Sequence, residues 1–254
     1  MEKRPLVLAC RGVLLVSVLL ALPGPAWPDR IQDAETSFNA GLSHLREGRS
    51  GLALEEFKRA VAGDPRNPYF FKGLGLAYAS ERKYADAVDA FRKALAIIPY
   101  YVDVRNDLGT ALILAGRRQE GKAEFLAAFN DPTNPTPEIS SRNLGQAYFE
   151  EKNHAEAFNW FRTSVGRNKA YHDAYLGLSD ALVALGRAEE SITFLQTAAK
   201  ECADVPAVRL ALGEAYFNAG RFHEARKELE ETRRKDPAGP AGRRAADILK
   251  QFPK

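Results

Sequence analysis

From residue 34 to the C-terminus, apolar positions recur at intervals of three and four residues, as in Leu74 and Tyr78 or in Ala87, Phe91 and Ala94. Such spacing puts them on one face of an α-helix, so the chain reads as all-helical. The helical stretches themselves repeat, starting at residues 34, 68, 102, 138, 172 and 206, with a two-residue insertion before the fourth. A small residue returns once per block, as Gly41, Gly75, Gly109, Gly145, Ser179 and Gly213. It lets two helices approach closely. Phe57, Phe91, Phe125, Phe161 and Leu195 recur in the second half of their blocks. A second glycine (Gly48, Gly116, Gly186, Gly220) falls where a first helix should end in the left-handed conformation. Asp64-Pro65, Ile98-Pro99, Asp131-Pro132 and Asp236-Pro237 stop second helices, because proline disfavours helix in the residue before it.

Each block therefore predicts a helical hairpin that cannot bury its apolar face alone, and stacking its neighbours makes the core. The period and these positions resemble the tetratricopeptide (TPR) repeat, over roughly 80% of the chain. The resemblance implies an all-α, right-handed solenoid of six helical hairpins with a C-terminal capping helix. The repeats would span 34–67, 68–101, 102–135, 138–171, 172–205 and 206–238, with 239–254 as the cap and 27–33 as a short lead-in. It also implies that repeat positions 2, 5, 9 and 12 of each first helix line a concave groove. Early in the chain these are Phe38, Leu42, Leu45, Tyr69, Lys72 and Leu76, an apolar and aromatic stretch. Asn106, Thr110, Arg142 and Gln146 follow, then Leu176, Asp180, Leu210, Glu214 and Phe217. The candidate partner-binding set is Phe38, Leu42, Leu45, Tyr69, Lys72, Leu76, Asn106, Arg142 and Gln146. An equal alternative is that Phe38, Leu42 and Leu76 pack between helices. Some TPR proteins grip a peptide's C-terminal carboxylate with a cation and paired asparagines. Arg142 and Gln146 take two such places, but Gly177 stands where an asparagine is needed, so that clamp is not supported.

Residues 1–26 read as an export signal: Lys3 and Arg4, an apolar run from Gly12 to Leu22, then Gly24 and Ala26 before Trp27. Cleavage before Trp27, retention as a membrane anchor and lipidation at Cys10, within Val7-Leu8-Ala9-Cys10, all remain open. The run is short for a spanning helix.

Composition excludes more than it assigns. Net charge is +3. The leader holds Glu2, Lys3, Arg4 and Arg11, so without its net two positive charges about +1 remains, which argues against a nucleic-acid partner. The basic residues Arg233, Arg234, Lys235, Arg243 and Arg244 are interleaved with acids and read as a solvated helix face. Two cysteines, Cys10 and Cys202, cannot build a disulfide framework. Cys202 reads as a small buried residue. His44, His154, His172 and His223 form no metal-binding pair, and Gly73 and Gly75 lack the third glycine of a nucleotide loop. No cofactor and no catalytic activity are expected.

The six repeats, the leader and the insertion Asp131-Pro132-Thr133-Asn134-Pro135-Thr136-Pro137-Glu138 are similar to the bacterial type IV pilus biogenesis/pilotin (PilF/PilW) family. That resemblance implies an exported, periplasmic or membrane-associated scaffold whose partner is a protein or peptide, such as a secretin or pilus-assembly component. A general envelope adaptor, for polysaccharide export or cell-wall synthesis, and a non-catalytic subunit of an enzyme complex fit the same residues. If the early groove holds the partner, charged residues at Phe38 and Tyr69 together are expected to abolish capture with helicity and melting unchanged. Normal capture by the folded double variant would rule out a first-repeat groove.

Overall fold

The described residues, 27–252 of this computed structural model, form thirteen α-helices and no strand. The first three hairpins are α1 (Trp27–Arg46) with α2 (Ser50–Gly63), α3 (Pro68–Ser80) with α4 (Tyr84–Ile97), and α5 (Val102–Leu114) with α6 (Arg118–Asn130). The next three are α7 (Pro137–Glu150) with α8 (His154–Arg167), α9 (His172–Ala184) with α10 (Ala188–Glu201), and α11 (Pro206–Asn218) with α12 (Phe222–Lys235). The capping helix α13 (Pro240–Leu249) closes the array. Each helix packs on its neighbours in sequence, and each odd-numbered helix also touches the next odd-numbered one. Among the described residues no even-numbered helix touches another even-numbered one. The odd helices therefore crowd on the inner side of a curved stack, and the even helices fan out behind them. This is a TPR solenoid.

The stack is held by one buried residue from each even helix. Phe57, Phe91 and Phe161 are almost fully buried. A Cβ added to Gly75 would lie 2.5 Å from the Phe91 ring, and one added to Gly73 would lie 2.6 Å from Phe57, so ring meets backbone directly. Phe57 also faces Gly41 of its own hairpin, which makes it a peg between two repeats. Repeats five and six use Leu195 and Leu229, both fully buried. Between α9 and α10, Ser179 and Ser191 share a 2.7 Å hydrogen bond where repeats one to four hold glycine against a ring and repeat six holds Gly213 against Leu229. Burying one such side chain contributes about 2–3 kcal/mol.

The turns inside the hairpins follow one rule. Gly48, Gly116, Gly186 and Gly220 adopt φ of +72°, +80°, +74° and +73°. In hairpins two and four the same place is taken by Arg82 (φ 58°) and Lys152 (φ 60°), side chains in a conformation that L-residues avoid. The backbone demand is thus common to all six hairpins, although only four meet it with glycine.

Two features differ from the sequence pattern. Residues 27–33 are the opening turns of α1 rather than a separate lead-in, and Arg30 ties them to the end of α2, donating to the Ala62 carbonyl at 3.4 Å. Ala34 packs against Gly63, where an added Cβ would be 2.6 Å away. Lys122 stands where other repeats place Leu54, Val88 or Ile192, yet it is buried. Its ammonium lies 2.6 Å from Glu151 and 4.4 Å from the Tyr148 ring, which ties α6 to α7. The insertion before α7 is a pinned loop. Asp131 Oδ1 accepts from the Thr133 backbone (2.8 Å), and Asn134 Nδ2 donates to the Ala128 carbonyl (2.7 Å). Residues 1–26, with the expected export signal, Cys10 and the expected cleavage before Trp27, lie outside the described residues. No described helix is long and apolar enough to cross a membrane.

Relief of the two strained turns should be measurable. Arg82→Gly and Lys152→Gly are each expected to raise stability by about 0.5–1 kcal/mol, and Gly116→Ala to lower it by about 1 kcal/mol. Urea unfolding of the three variants checks this, and equal midpoints for Lys152→Gly and the parent would contradict it.

Candidate partner-binding groove

The inner wall comes from the odd helices, so a side chain's place in its repeat decides whether it meets solvent or core. Tyr69 is 53% exposed, with its ring edge-on to Tyr101 at 5.7 Å. Lys72 lies 3.5 Å from Asp103 and 5.2 Å from the Tyr101 ring centroid. Phe38, by contrast, packs its ring against Phe57 (5.6 Å) and Phe70 (5.1 Å). Leu42, Leu45 and Leu76 lie half-buried against the same core. Phe38 therefore supports the packing alternative, and charging it would strike the first peg as well as the groove. The early stretch is more core and less open surface than its apolar composition suggests.

In the middle of the wall, Asn106 is buried at 8% exposure, because α5 also buries Val102, Val104 and Leu108 around it. Its Nδ2 donates to the Val102 carbonyl at 3.4 Å, and its Oδ1 has no partner. Arg142 and Gln146 are half-buried on α7 and line a cavity of about 120 Å³ with Thr110 and Ile113. Gln146 donates to Glu150 at 3.1 Å. Further on, Asp180, Val183 and Glu214 line a cleft of about 380 Å³ with Phe149, and Glu214 pairs with Arg244 at 2.9 Å. Leu176, Leu210 and Phe217 lean on the neighbouring core clusters.

Four exposed apolar residues on inner helices escaped the sequence reading: Ile31 (41%) near the start of α1, Leu114 (52%), Ile139 (36%) and Val183 (57%). Ile139 and Val183 stand at repeat positions 2 and 12, so the groove rule itself points to them. Leu114 lies one place beyond it.

Charge in the wall is unevenly settled. Asp107 occupies the repeat position that Gly73 and Gly177 fill, where an inner helix presses on the preceding phenylalanine. Burial pushes its pKa up to about 6, with Lys72 pulling down and Asp103 pushing further up. Asp180 is also raised, first by burial and then by Glu214. Burial raises the Tyr171 phenol, against the pull of the Arg142 charge beside it. Cys202 is buried with its Sγ 3.4 Å from the Ala170 carbonyl, and burial raises its thiol. Arg234 pairs with Glu231 and Lys235 with Asp204, so part of the basic C-terminal face is balanced by acids. Among the described residues no three His, Cys, Asp or Glu side chains converge as a metal site requires.

Two models described as tetratricopeptide repeat match this chain, one over residues 38–102, 106–172 and 210–247, the other over 148–204. The chain belongs to the tetratricopeptide repeat family. TPR domains are typically non-catalytic scaffolds that bind protein or peptide partners. The type IV pilus assembly protein PilF of Pseudomonas aeruginosa is 27% identical over 142 residues, which is 56% of each chain. The cellulose synthase operon protein C of Escherichia coli is 32% identical over 108 residues, 40% of this chain and 9% of that one. This chain thus spans 56% of PilF and 13% or less of the longest curated relatives it matches. Among solved structures, PilW, described as a widely conserved type IV pilus biogenesis factor, superposes with a TM-score of 0.67 at 19% identity. That match covers 86% of this chain and 99% of PilW. The PilF structure gives 0.64 at 20% identity, over 88% and 100%. The TPR array is therefore related to type IV pilus biogenesis proteins.

Asp107 makes a pH test of the inner wall. An acid whose pKa is raised by folding keeps its proton more tightly in the folded chain. Its ionisation therefore lowers stability as pH rises from about 4, and the loss is complete above about 6. Asp107→Asn is expected to stabilise the chain by about 1–2 kcal/mol at pH 7.5, after allowing for solvent screening, and by almost nothing near pH 4. Denaturant unfolding at both pH values checks this, and a gain independent of pH would contradict it.

Proposed function

We propose that this TPR chain is an exported scaffold of the bacterial cell envelope that assists type IV pilus assembly by holding a segment of a partner, such as a secretin subunit, in its groove. The observation that carries this reading is the PilF relationship, which spans 56% of both chains, beside a fold that matches PilW and PilF over nearly their whole lengths. An open wall of inner helices suits an extended or helical segment better than a small molecule. Tyr69, Leu114, Ile139 and Val183 would supply its exposed apolar contacts. The chain itself would be non-catalytic. The basic stretch and cleavable small-residue end of residues 1–26 support delivery across the inner membrane, either as a free periplasmic protein or held at a membrane.

The relationship to the cellulose synthase operon protein favours a second reading, an adaptor for polysaccharide export. Affinity capture from membrane extract separates the two. A secretin or pilus-assembly subunit is expected with the parent chain. At least tenfold less is expected with the Tyr69→Glu, Val183→Asp double variant, whose circular dichroism and melting should match the parent, since both side chains are mostly solvent-facing. Capture of polysaccharide-synthesis subunits instead would replace the pilus reading. Intact mass of the captured bait, with fractionation, tests export: a chain beginning at Trp27 in the periplasmic fraction is expected, and a cytoplasmic full-length chain would refute it.

A further inference from the structure

Four arginines are half-buried among the described residues: Arg105, Arg142, Arg209 and Arg221. Three hold a carboxylate, Glu124 at 3.0 Å, Glu228 at 2.8 Å and Glu224 at 2.8 Å respectively. Arg142 has none within 4 Å among the described residues; its one hydrogen bond there is a long 3.4 Å contact to Asn143 Oδ1. Its Nε, like that of the paired Arg209, is buried and unpartnered, so what sets Arg142 apart is the missing carboxylate. A guanidinium keeps its charge at any pH a protein survives, and leaving one of its donors buried without a partner is costly.

A comparison within the chain shows what is missing. Lys72 stands at the same repeat position on α3, and the next repeat closes over it with Asp103 and the Tyr101 ring. The equivalents near Arg142 are Asp173 and Tyr171. Asp173 instead faces the His172 imidazole at 3.3 Å, so the carboxylate that would lock Arg142 is turned away to its chain neighbour. The nearest acid lining the same cavity, Glu150, is taken by Gln146 and by Arg118 at 3.5 Å. The cavity beside Arg142 is about 120 Å³, room for one short side chain, and Ile113 and Leu114 make its apolar wall.

We infer that Arg142 is the anchor of the groove, and that the cavity beside it receives the side-chain carboxylate of an aspartate or glutamate from an extended, apolar-flanked segment of the partner. This rests on the reading that the groove holds a partner segment, but it does not need that partner to be a secretin. The incoming carboxylate supplies the charge that Asp103 supplies to Lys72. A charge-assisted contact at a partly desolvated arginine gives both affinity and register, because the guanidinium fork accepts a carboxylate in few orientations.

The test uses a random peptide library displayed on phage and fused through its C-terminus, so that no free terminal carboxylate is offered. Panning against the purified chain should enrich peptides with an acidic residue at one fixed place between apolar residues. Synthetic, C-terminally amidated versions are expected to bind Arg142→Gln about 30-fold more weakly than the parent. Arg142→Glu should select peptides with a basic residue at the same place, which a merely structural role for Arg142 would not produce. Circular dichroism and melting of both variants report folding, and the Arg142→Gln comparison stands even if Arg142→Glu fails to fold. Four results would overturn the inference: no groove-dependent binder, binders without the acidic residue, equal affinity for Arg142→Gln, or binding that requires a free C-terminal carboxylate. Selection of acidic peptides by a chain that captures no secretin would sink the pilus reading and leave the Arg142 anchor standing.

Discussion

The solenoid depends on a ring pressed against bare backbone. Phe57 touches Gly41 of its own hairpin and Gly73 of the next, so one side chain sets the distance within a repeat and the distance between repeats together. A methyl group at either glycine would have to displace the ring, and close-packed interiors give little room for that. Where the peg narrows to leucine, as at Leu195, a serine fits at position 179, and its hydroxyl is satisfied by Ser191 rather than left dry. In repeat six, where the peg is also leucine, glycine is kept at position 213 against Leu229, so a leucine peg permits the serine without requiring it.

This coupling explains why so much of the fold is legible in the sequence. The period, the small residues and the prolines act through local sterics, which do not depend on distant parts of the chain. The left-handed turns are legible for the same reason at Gly48, Gly116, Gly186 and Gly220. At Arg82 and Lys152 the demand persists without its usual residue, because tertiary packing of the hairpin outweighs a local cost of about 1–2 kcal/mol. The groove is less legible. Repeat position says which way a side chain points, but not how deeply its neighbours cover it. Phe38 and Asn106 share a repeat position with Lys72 and Arg142. Phe38 sinks between Phe57 and Phe70, Asn106 is buried within α5, and the two cations stay half-open. Lys122 was unreadable for a similar reason: its partner Glu151 lies in the next repeat, beyond the insertion.

The difference between Lys72 and Arg142 also shows how charge organises the wall. Lys72 and Asp103 satisfy one another, and the nearby Asp107 keeps a pKa raised by burial, which Lys72 only partly offsets. Around Arg142 the sharing runs the other way: acids are present, but Glu150 is committed to Arg118 and Gln146, and Asp173 to the His172 imidazole. A repeat architecture makes such an imbalance easy to reach, because a local change such as histidine at 172 redirects one carboxylate without disturbing the stack.

Where Arg142 sits matters as much as its charge. Its helix, α7, is tied on several sides at once. The Lys122–Glu151 pair clips it to α6, and the pinned insertion fixes its start. Ser164 and Asn168 of the following helix and its cap bond Glu138 in the first turn, at 2.7 and 2.9 Å. A charged anchor gains most when its own position is settled before the ligand arrives, because less ordering then opposes binding. The two-residue insertion, which breaks the repeat period and looks like an interruption, thus leads into the inner helix best placed to present an unpaired charge.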